Sequence, residues 1–510
     1  MVAKSYVGID FGACNIKVVS YKNKKIKKVK LNKNQIAGDE IPNIIYYGEN
    51  NEIKVGYPAR NELDYKNKVM YIKRKLEQGL WSKYIENIGK NMTAQEVATD
   101  IFKWLKKTIS DKLSEDDFKA VITMPVCFSE VQKNRIYRAA TDAKINVETV
   151  ITEPFAALFS MEDLFEEAED DEQIVLIFDF GGSTLDLSLL RVENDGDGEI
   201  CVTELASSGM HYGGINIDED VYHEIFESKY AKEISEIKAV DDLGTAEDEL
   251  IDMVRRLKEI IFGDEEDEAD DIYHSRQGKQ YTFELTRDEF ISVFEKTKIK
   301  NRIINLLDNL FEMTSEAERE DLTVVKPFGG TSNIDYFREI LSEYINDTDV
   351  FDNDDYDMEE AYTGIATGAA KYLYFKKEEE DTVEIHNIIP FNIGIEENGK
   401  FVKYISRNER YGFETLYRPL KIEDLIKNKY ILRIYQTFDD LIEVDIDADG
   451  VVFMGNVQLD KKLYTTQEAV LFKLKMTEDG KLNIRFYEQQ LNNGESEIVL
   501  VESKQIQIGG

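Results

Sequence analysis

The chain has 510 residues, with 63 lysines and arginines against 101 aspartates and glutamates, a formal net charge of −38. Its 42% hydrophobic and 11% aromatic content supplies cores for about two to four domains and excludes a disordered acidic chain. The acidity excludes a protein that grips phosphate backbones or anionic lipid surfaces through clustered basic side chains, so neither nucleic acid nor membrane is an expected partner.

The first residues enter a strand pattern directly, without the charged-then-apolar layout of a signal peptide. No apolar run approaches the roughly 18 residues that a membrane helix needs. Cys14, Cys127 and Cys201 are odd in number and widely spaced, with no CxxC. That spacing gives neither a disulfide framework nor a zinc motif and fits a reducing, cytoplasmic setting.

Residues 5–11 and 15–21 read as a strand hairpin, followed by a lysine-rich stretch over 22–33. A helix is expected over 94–113, a buried strand over 119–124, a helix over 130–143, a strand over 147–151 and a helix over 153–165. Strands follow at 173–180, 184–192 and 199–206, then helical stretches over 216–262 and 286–318 and a short strand at 322–328. Helices at 332–346 and 359–375 close this part, whose strand–helix alternation reads as α/β. The charged run opening 376–387 reads as a linker. Beyond it, period-2 runs separated by ENGK, DADG, EDGK and NNGE turns predict an all-β module of about seven or eight strands over 388–510.

One pattern repeats. Val7-Gly8-Ile9-Asp10-Phe11-Gly12 returns 169 residues later as Leu176-Ile177-Phe178-Asp179-Phe180-Gly181-Gly182. Two copies of one half-domain would place two Asp-Gly hairpins across a cleft from each other. Glycine turns bring backbone N–H groups close to phosphate oxygens, and a strand-end carboxylate can hold a hydrated Mg2+. Asp10 and Asp179 suit that task, with Asp186 as a third acid. A third glycine turn, Phe328-Gly329-Gly330-Thr331-Ser332, opens a helix whose first amides suit a ribose or phosphate.

The order of motifs resembles the seventy-kilodalton heat-shock chaperone family (DnaK-type). GIDFGACN is similar to its first phosphate loop, VGYPARN with NKVMYIKRKL to the segment carrying its catalytic lysine, and IVLIFDFGGSTLDLSLL to its second phosphate loop. AVITMPVCFSEVQKNRIYRAATDAKINVETVITEPFAAL and TGIATGAAKYL resemble its two connecting segments, and GMHYGGINID the stretch after the second loop. KPFGGTSNI resembles its adenosine loop, and IIPFNIGIEENGKF the entry to its substrate-binding domain.

The resemblance implies an actin-like (ribonuclease H-like) two-lobed α/β ATPase domain over 1–375, a linker over 376–387 and a β-sandwich peptide-binding domain over 388–510. It implies a slow ATP hydrolase that cycles the affinity for extended apolar segments of unfolded proteins. A nucleotide-sensing adaptor with little turnover is the alternative. ATP or ADP with Mg2+, and K+, are the implied cofactors. Lys73 would orient the attacking water and γ-phosphate, and Asp10, Glu153, Asp179 and Asp186 would hold the metal ions through water. Thr184 and the backbone at Gly12, Ala13, Cys14, Gly181, Gly182, Ser183, Gly213 and Gly214 would cradle phosphates. Lys258, Gly329, Gly330, Thr331 and Asn333 would meet the nucleoside. Pro125 would report nucleotide state to the linker, and Ile395, Tyr430 and Leu432 would contact peptide. A J-domain co-chaperone and a nucleotide-exchange factor are implied partners of a monomer.

The chain also departs from the family pattern. Ala13 and Cys14 stand where two threonines are usual, Ser183 where a third glycine is usual, and Asn333 where an arginine stacks on adenine. Glu384 in the linker is expected to weaken its docking into an apolar crevice, and the helical lid is absent. Residues 160–280 carry −27 of the net charge, read either as solvated faces or as a docking surface for a basic partner. Within that block the acidic loop 193–199 is the expected address for the J-domain partner.

Overall fold

Asp10 and Asp179 each sit near the end of a strand whose hairpin partner brings back a residue seven positions later, and the two hairpins seed two sheets. The computed structural model describes residues 4–31, 40–77, 81–168, 172–194, 200–241, 244–314, 321–351, 353, 356–378, 383–438, 443–448, 450–460, 469–477, 481–492 and 495–507. In the first sheet, β1 (Tyr6–Phe11) pairs antiparallel with β2 (Asn15–Lys22), which continues to β3 (Lys25–Lys28). β4 (Lys119–Met124) lies parallel to β1, and β5 (Asn146–Thr152) parallel to β4. The second sheet repeats this plan. β6 (Gln173–Phe180) and β7 (Leu185–Asn194) form its hairpin, β8 (Ile200–Met210) extends it, and β9 (Leu322–Phe328) runs parallel to β6. Both β1 and β6 are buried along their whole length, as their unbroken apolar runs require of strands covered on two faces.

Helices start where sequence signals place them. Thr93 and Glu96 close a capping box on α1 (Ala94–Leu113), and Ser129 with Gln132 does so on α2 (Glu130–Asp142). The stretch expected as one helix over 153–165 is two, α3 (Glu153–Leu158) and α4 (Glu162–Glu167), because the chain turns at 159–161. α5 (Gly214–Val221) and α6 (Ala246–Gly263) follow, and α7 (Met358–Glu378) spans the seam between the sheets. Small residues let α7 approach very closely. A Cβ on Gly368 would lie 1.8 Å from the Ala156 carbonyl oxygen, and one on Gly8 would lie 2.1 Å from that of Ala366. The charged stretch near 264–268 leads into a hairpin, Glu268–His274 with Gln280–Thr286, that helical periodicity on either side concealed.

The residues expected as linker are not extended throughout. Residues 376–378 finish α7, and Val383–His386 forms β10, an edge strand parallel to β8. Glu384 does not obstruct that docking. Strand alternation turns it to solvent while Val383 is buried and Ile385 half-buried, packing with Val202 and Ile200. After β10 come two antiparallel sheets around their own core. One comprises β11 (Asn392–Glu397), β12 (Lys400–Ile405), β14 (Ile431–Thr437), β15 (Glu443–Asp445) and β16 (Val451–Gln458). The other comprises β13 (Arg418–Lys421), β17 (Ala469–Met476), β18 (Lys481–Asn492) and β19 (Glu495–Gln507). The last described element is β19.

The β module touches the α/β part at α2. The Glu130 backbone N–H donates to Gln436 Oε1 at 3.0 Å in a buried bond, and Val131 packs against the module's core. Beside this junction Glu204 of β8 is buried, accepting from Ser188 Oγ at 3.0 Å and from the Ile388 N–H at a long 3.5 Å. Burial pushes its carboxyl up to about 7, against those hydrogen bonds and the Lys133 charge. Because the folded-state pKa lies above the ordinary value, the stabilising contribution is full below about pH 4.5 and is lost as pH rises through about 7. The swing is about 3 kcal/mol at most. Glu204→Gln should therefore flatten the fall in urea midpoint between about pH 5 and about pH 8. An identical pH profile for wild type and variant would refute this.

Candidate active site

The repeat that places Asp10 opposite Lys17 in the first hairpin places Asp179 opposite Asp186 in the second. The offset between copies is 169 residues at both positions, so Lys17 occupies the place of Asp186. The two hairpins face a cleft of about 280 Å³ between the sheets.

Lys73 enters this cleft from the short helix Ile72–Glu77, which starts after Tyr71 at a positive φ of 55°. Its Nζ lies 2.5 Å from Glu153 Oε1, and both groups are buried. Glu153 begins α3, where Pro154 follows it at the helix start and the N-terminal dipole favours an acid. Burial works against the Lys73 charge, but Glu153 and Asp10 outweigh it and hold its pKa above the ordinary lysine value. Lys17 Nζ lies 3.6 Å from Asp10 Oδ2 and 5.0 Å from the centre of the Tyr362 ring.

The second hairpin has no such ammonium in its register. Asp179 and Asp186 are 2% and 0% exposed, and Asp179 Oδ1 and Asp186 Oδ2 have no hydrogen-bond partner. Burial, then the neighbouring Glu153, Asp186 and Asp10, drives the Asp179 carboxyl well above the usual range. Burial also raises Asp186, opposed by bonds from the Thr184 side chain and the Cys127 N–H, the latter at 3.2 Å. Four buried acids against two lysines leave negative charge that a hydrated cation can neutralise. Asp10, Glu153 and Asp179 line the cleft and could hold it, with Asp186 fully buried behind them.

Three glycine turns close around these groups. A Cβ on Gly213 would meet the Gly182 carbonyl carbon at 2.5 Å, and one on Gly182 would meet Cys14 Sγ at 2.6 Å. Gly329, at φ +85°, passes so close that a Cβ would lie 2.4 Å from the Phe180 oxygen. Thr331 Oγ1 donates to the Gly181 carbonyl at 2.8 Å, and the Gly181 N–H is turned back to Thr184 O at 2.9 Å. Gly12, Ala13, Cys14, Gly181, Gly182, Ser183, Thr184, Gly214, Gly329, Gly330, Thr331 and Asn333 all line the cleft. Gly213, Asp186 and Pro125 do not line it. Pro125 lies in the turn whose next-but-one residue, Cys127, donates to Asp186.

Several residues hold different posts from those expected. Lys258 lines the cleft but is committed to the protein, pairing with Asp218 Oδ1 at 2.7 Å and donating to the Gly214 carbonyl at 2.8 Å. It fixes the glycine turn. Asn333 Oδ1 accepts from Tyr356 OH at 2.6 Å, and Arg338 lies over the Tyr356 ring at 4.3 Å. Burial pushes the Cys14 thiol up to about 12, which suits a packed thiol rather than a reactive one. Ile395, Tyr430 and Leu432, expected against peptide, are buried inside the β module's core. Strand alternation turns Ile395 and Leu432 inward, and Tyr430 follows from the turn just before β14, where it sits at a positive φ of 60°. The acidic loop lies outside the described residues at 195–199.

Lys17, Tyr57, Arg60, Arg255 and Tyr362 also line the cleft and were absent from the sequence reading. Only Lys17 had a signal, since a tight turn after Asp10 fixes it as the cross-strand partner. Arg74 reaches across to Glu219 of α5 with two bonds of 2.8 Å, joining the two walls.

A family profile described as Hsp70 protein matches residues 6–443, well over half of the chain. The chain belongs to the Hsp70 family. Members are ATP-dependent chaperones that bind ATP or ADP with Mg2+, unfolded client peptides and co-chaperones. The match spans both sheets, β10 and the first strands of the β module.

The packing of Gly182 on Cys14 is open to a direct check. Gly182→Ala should weaken ADP binding and destabilise by about 1–3 kcal/mol, as overpacking does. Cys14→Ala in the same chain removes the sulfur and should recover most of that loss. A double variant no better than Gly182→Ala would show that the sulfur is not the obstruction.

Proposed function

We propose that this chain is an ATP-dependent chaperone that hydrolyses ATP between the two sheets and uses it to cycle the β module's affinity for extended apolar peptides. The observation that carries the reading is the pair of unpartnered, buried carboxylate oxygens on Asp179 and Asp186 beside the Lys73–Glu153 pair. Phosphoryl transfer asks for positioning and charge stabilisation more than for covalent chemistry. Bound Mg2+ would supply charge neutralisation at the phosphates. Lys73 holds a positive charge where the γ-phosphate and water would meet, and Glu153 fixes its ammonium. The turns at Gly12, Gly181 and Gly214 line the cleft, where their backbone would approach phosphate.

The route to the β module is contiguous. Asp186 accepts from Cys127, the Pro125 turn leads to Ser129, and α2 begins at Glu130, whose N–H meets Gln436. With Ile395, Tyr430 and Leu432 in the core, peptide binding at those side chains requires the module to rearrange. That is the affinity change such a cycle needs. Three free cysteines fit a reducing, cytoplasmic setting.

The second reading, a nucleotide-sensing adaptor with little turnover, draws on Ala13 and Cys14, which offer the phosphates no hydroxyl. Single-turnover hydrolysis with wild type and Lys73→Ala separates the two. The chaperone reading expects turnover to fall about 100- to 1000-fold while ADP still raises the melting temperature. Equally slow hydrolysis in both proteins would favour the adaptor.

Lys17 makes a further expectation. Its ammonium neutralises Asp10, so K+ is needed chiefly at the Asp179–Asp186 hairpin. Lys17→Met should make hydrolysis depend more steeply on K+ concentration than in wild type. Matching K+ curves would remove this role.

A further inference from the structure

β10 adds a chemically distinct face to the second sheet. Its parallel register sets Cys201 of β8 opposite Glu384 and Thr203 opposite His386. Alternation then sends Val383 and Ile385 inward, toward Val202 and Ile200, and brings Cys201, Glu384 and His386 together on the other face. The thiol sulfur, a carboxylate oxygen and an imidazole nitrogen all lie within 4.8 Å of one another. Ligand atoms around a tetrahedral zinc ion lie roughly 3.3–3.8 Å apart, given Zn–S and Zn–N bonds of about 2.3 and 2.0 Å. Modest side-chain rotations reach that spacing.

We propose that Cys201, Glu384 and His386 form a zinc site that fastens the linker strand to the second sheet. The set is one thiolate, one imidazole and one carboxylate, which suits a borderline-soft divalent ion and not Mg2+ or Ca2+. Water or Glu193 supplies the fourth position. Glu193 is the cross-strand neighbour of Cys201 on β7, so Glu193, Cys201 and Glu384 form one row across three strands. Without metal the groups make only local contacts. His386 Nε2 lies 3.3 Å from Glu384 Oε1, and Cys201 Sγ lies 3.7 Å from Thr203 Oγ1. Cysteine spacing alone excluded a zinc motif because the ligands come from segments about 180 residues apart, in no motif order.

The site exists only while β10 is docked, since Cys201 belongs to β8 and the other two ligands to β10. Zinc affinity and linker docking are therefore linked, and each strengthens the other by the same factor. This proposal concerns the linker and stands whether or not the chain turns over ATP.

The test uses the full chain, stripped with chelator and titrated with zinc chloride by equilibrium dialysis. Cobalt serves as a spectroscopic stand-in whose thiolate charge-transfer band reports sulfur ligation. One equivalent of zinc should bind to wild type, and Cys201→Ser or His386→Ala should weaken it more than about 100-fold, beyond what outer-shell changes cost. The cobalt band should persist in Cys14→Ala and Cys127→Ala and vanish in Cys201→Ser. Zinc should also slow proteolysis of residues 383–387 in wild type and not in Cys201→Ser. Absence of stoichiometric binding, binding that survives Cys201→Ser, or binding that leaves linker proteolysis unchanged would each overturn the proposal.

Discussion

Everything in the α/β part is arranged around an excess of buried negative charge. Asp10, Glu153, Asp179 and Asp186 come from four different elements, with the ammonium groups of Lys73 and Lys17 among them. Isolated carboxylates do not stay buried and ionised. Burial accordingly raises the Glu153, Asp179 and Asp186 carboxyls, and rigid backbone at strand ends and a helix start holds them in place. The glycine turns answer to packing, since Cβ atoms at Gly182, Gly213 and Gly329 would strike the neighbouring turns.

The two hairpins are copies, yet they solve the charge problem differently. The first brings its own ammonium, opposite Asp10. The second brings a further acid opposite Asp179 and leaves two oxygens without partners. The copy with unpaired acids is the one that asks for a counter-ion. It is also the one joined, through the Cys127 N–H, to the turn that leads to α2 and the β module. Asp186 thus sits between Asp179, its cross-strand partner, and the turn that leads to the module.

Much of this was legible in the chain. Unbroken apolar runs ending in Asp-Gly announced β1 and β6, and their common spacing announced the duplication. The helices expected from 94 and 130 start there, behind the capping residues Thr93 and Ser129. What could not be read depended on partners distant in sequence. Nothing near Lys258 says that its ammonium is committed to Asp218 and Gly214. Nothing near Glu384 says that strand alternation carries its charge out to solvent. The hairpin at Glu268–His274 escaped because four of its seven positions are polar or charged, which dilutes the period-2 signal. Tyr430 and Leu432 were assigned by position along a motif, but only the packed sheets decide which face they take.

The linker strand has a consequence for the molecule when it is elsewhere. With β10 in place, β8 is an interior strand whose outer hydrogen-bonding groups at 200–203 are used. With β10 withdrawn, the same groups become a bare border beside Ile200 and Val202, and bare borders recruit any extended chain of matching length. The segment at 383–386 therefore acts as a stopper as well as a tether. Its four residues protect the sheet from pairing with strangers during the interval in which it stays seated.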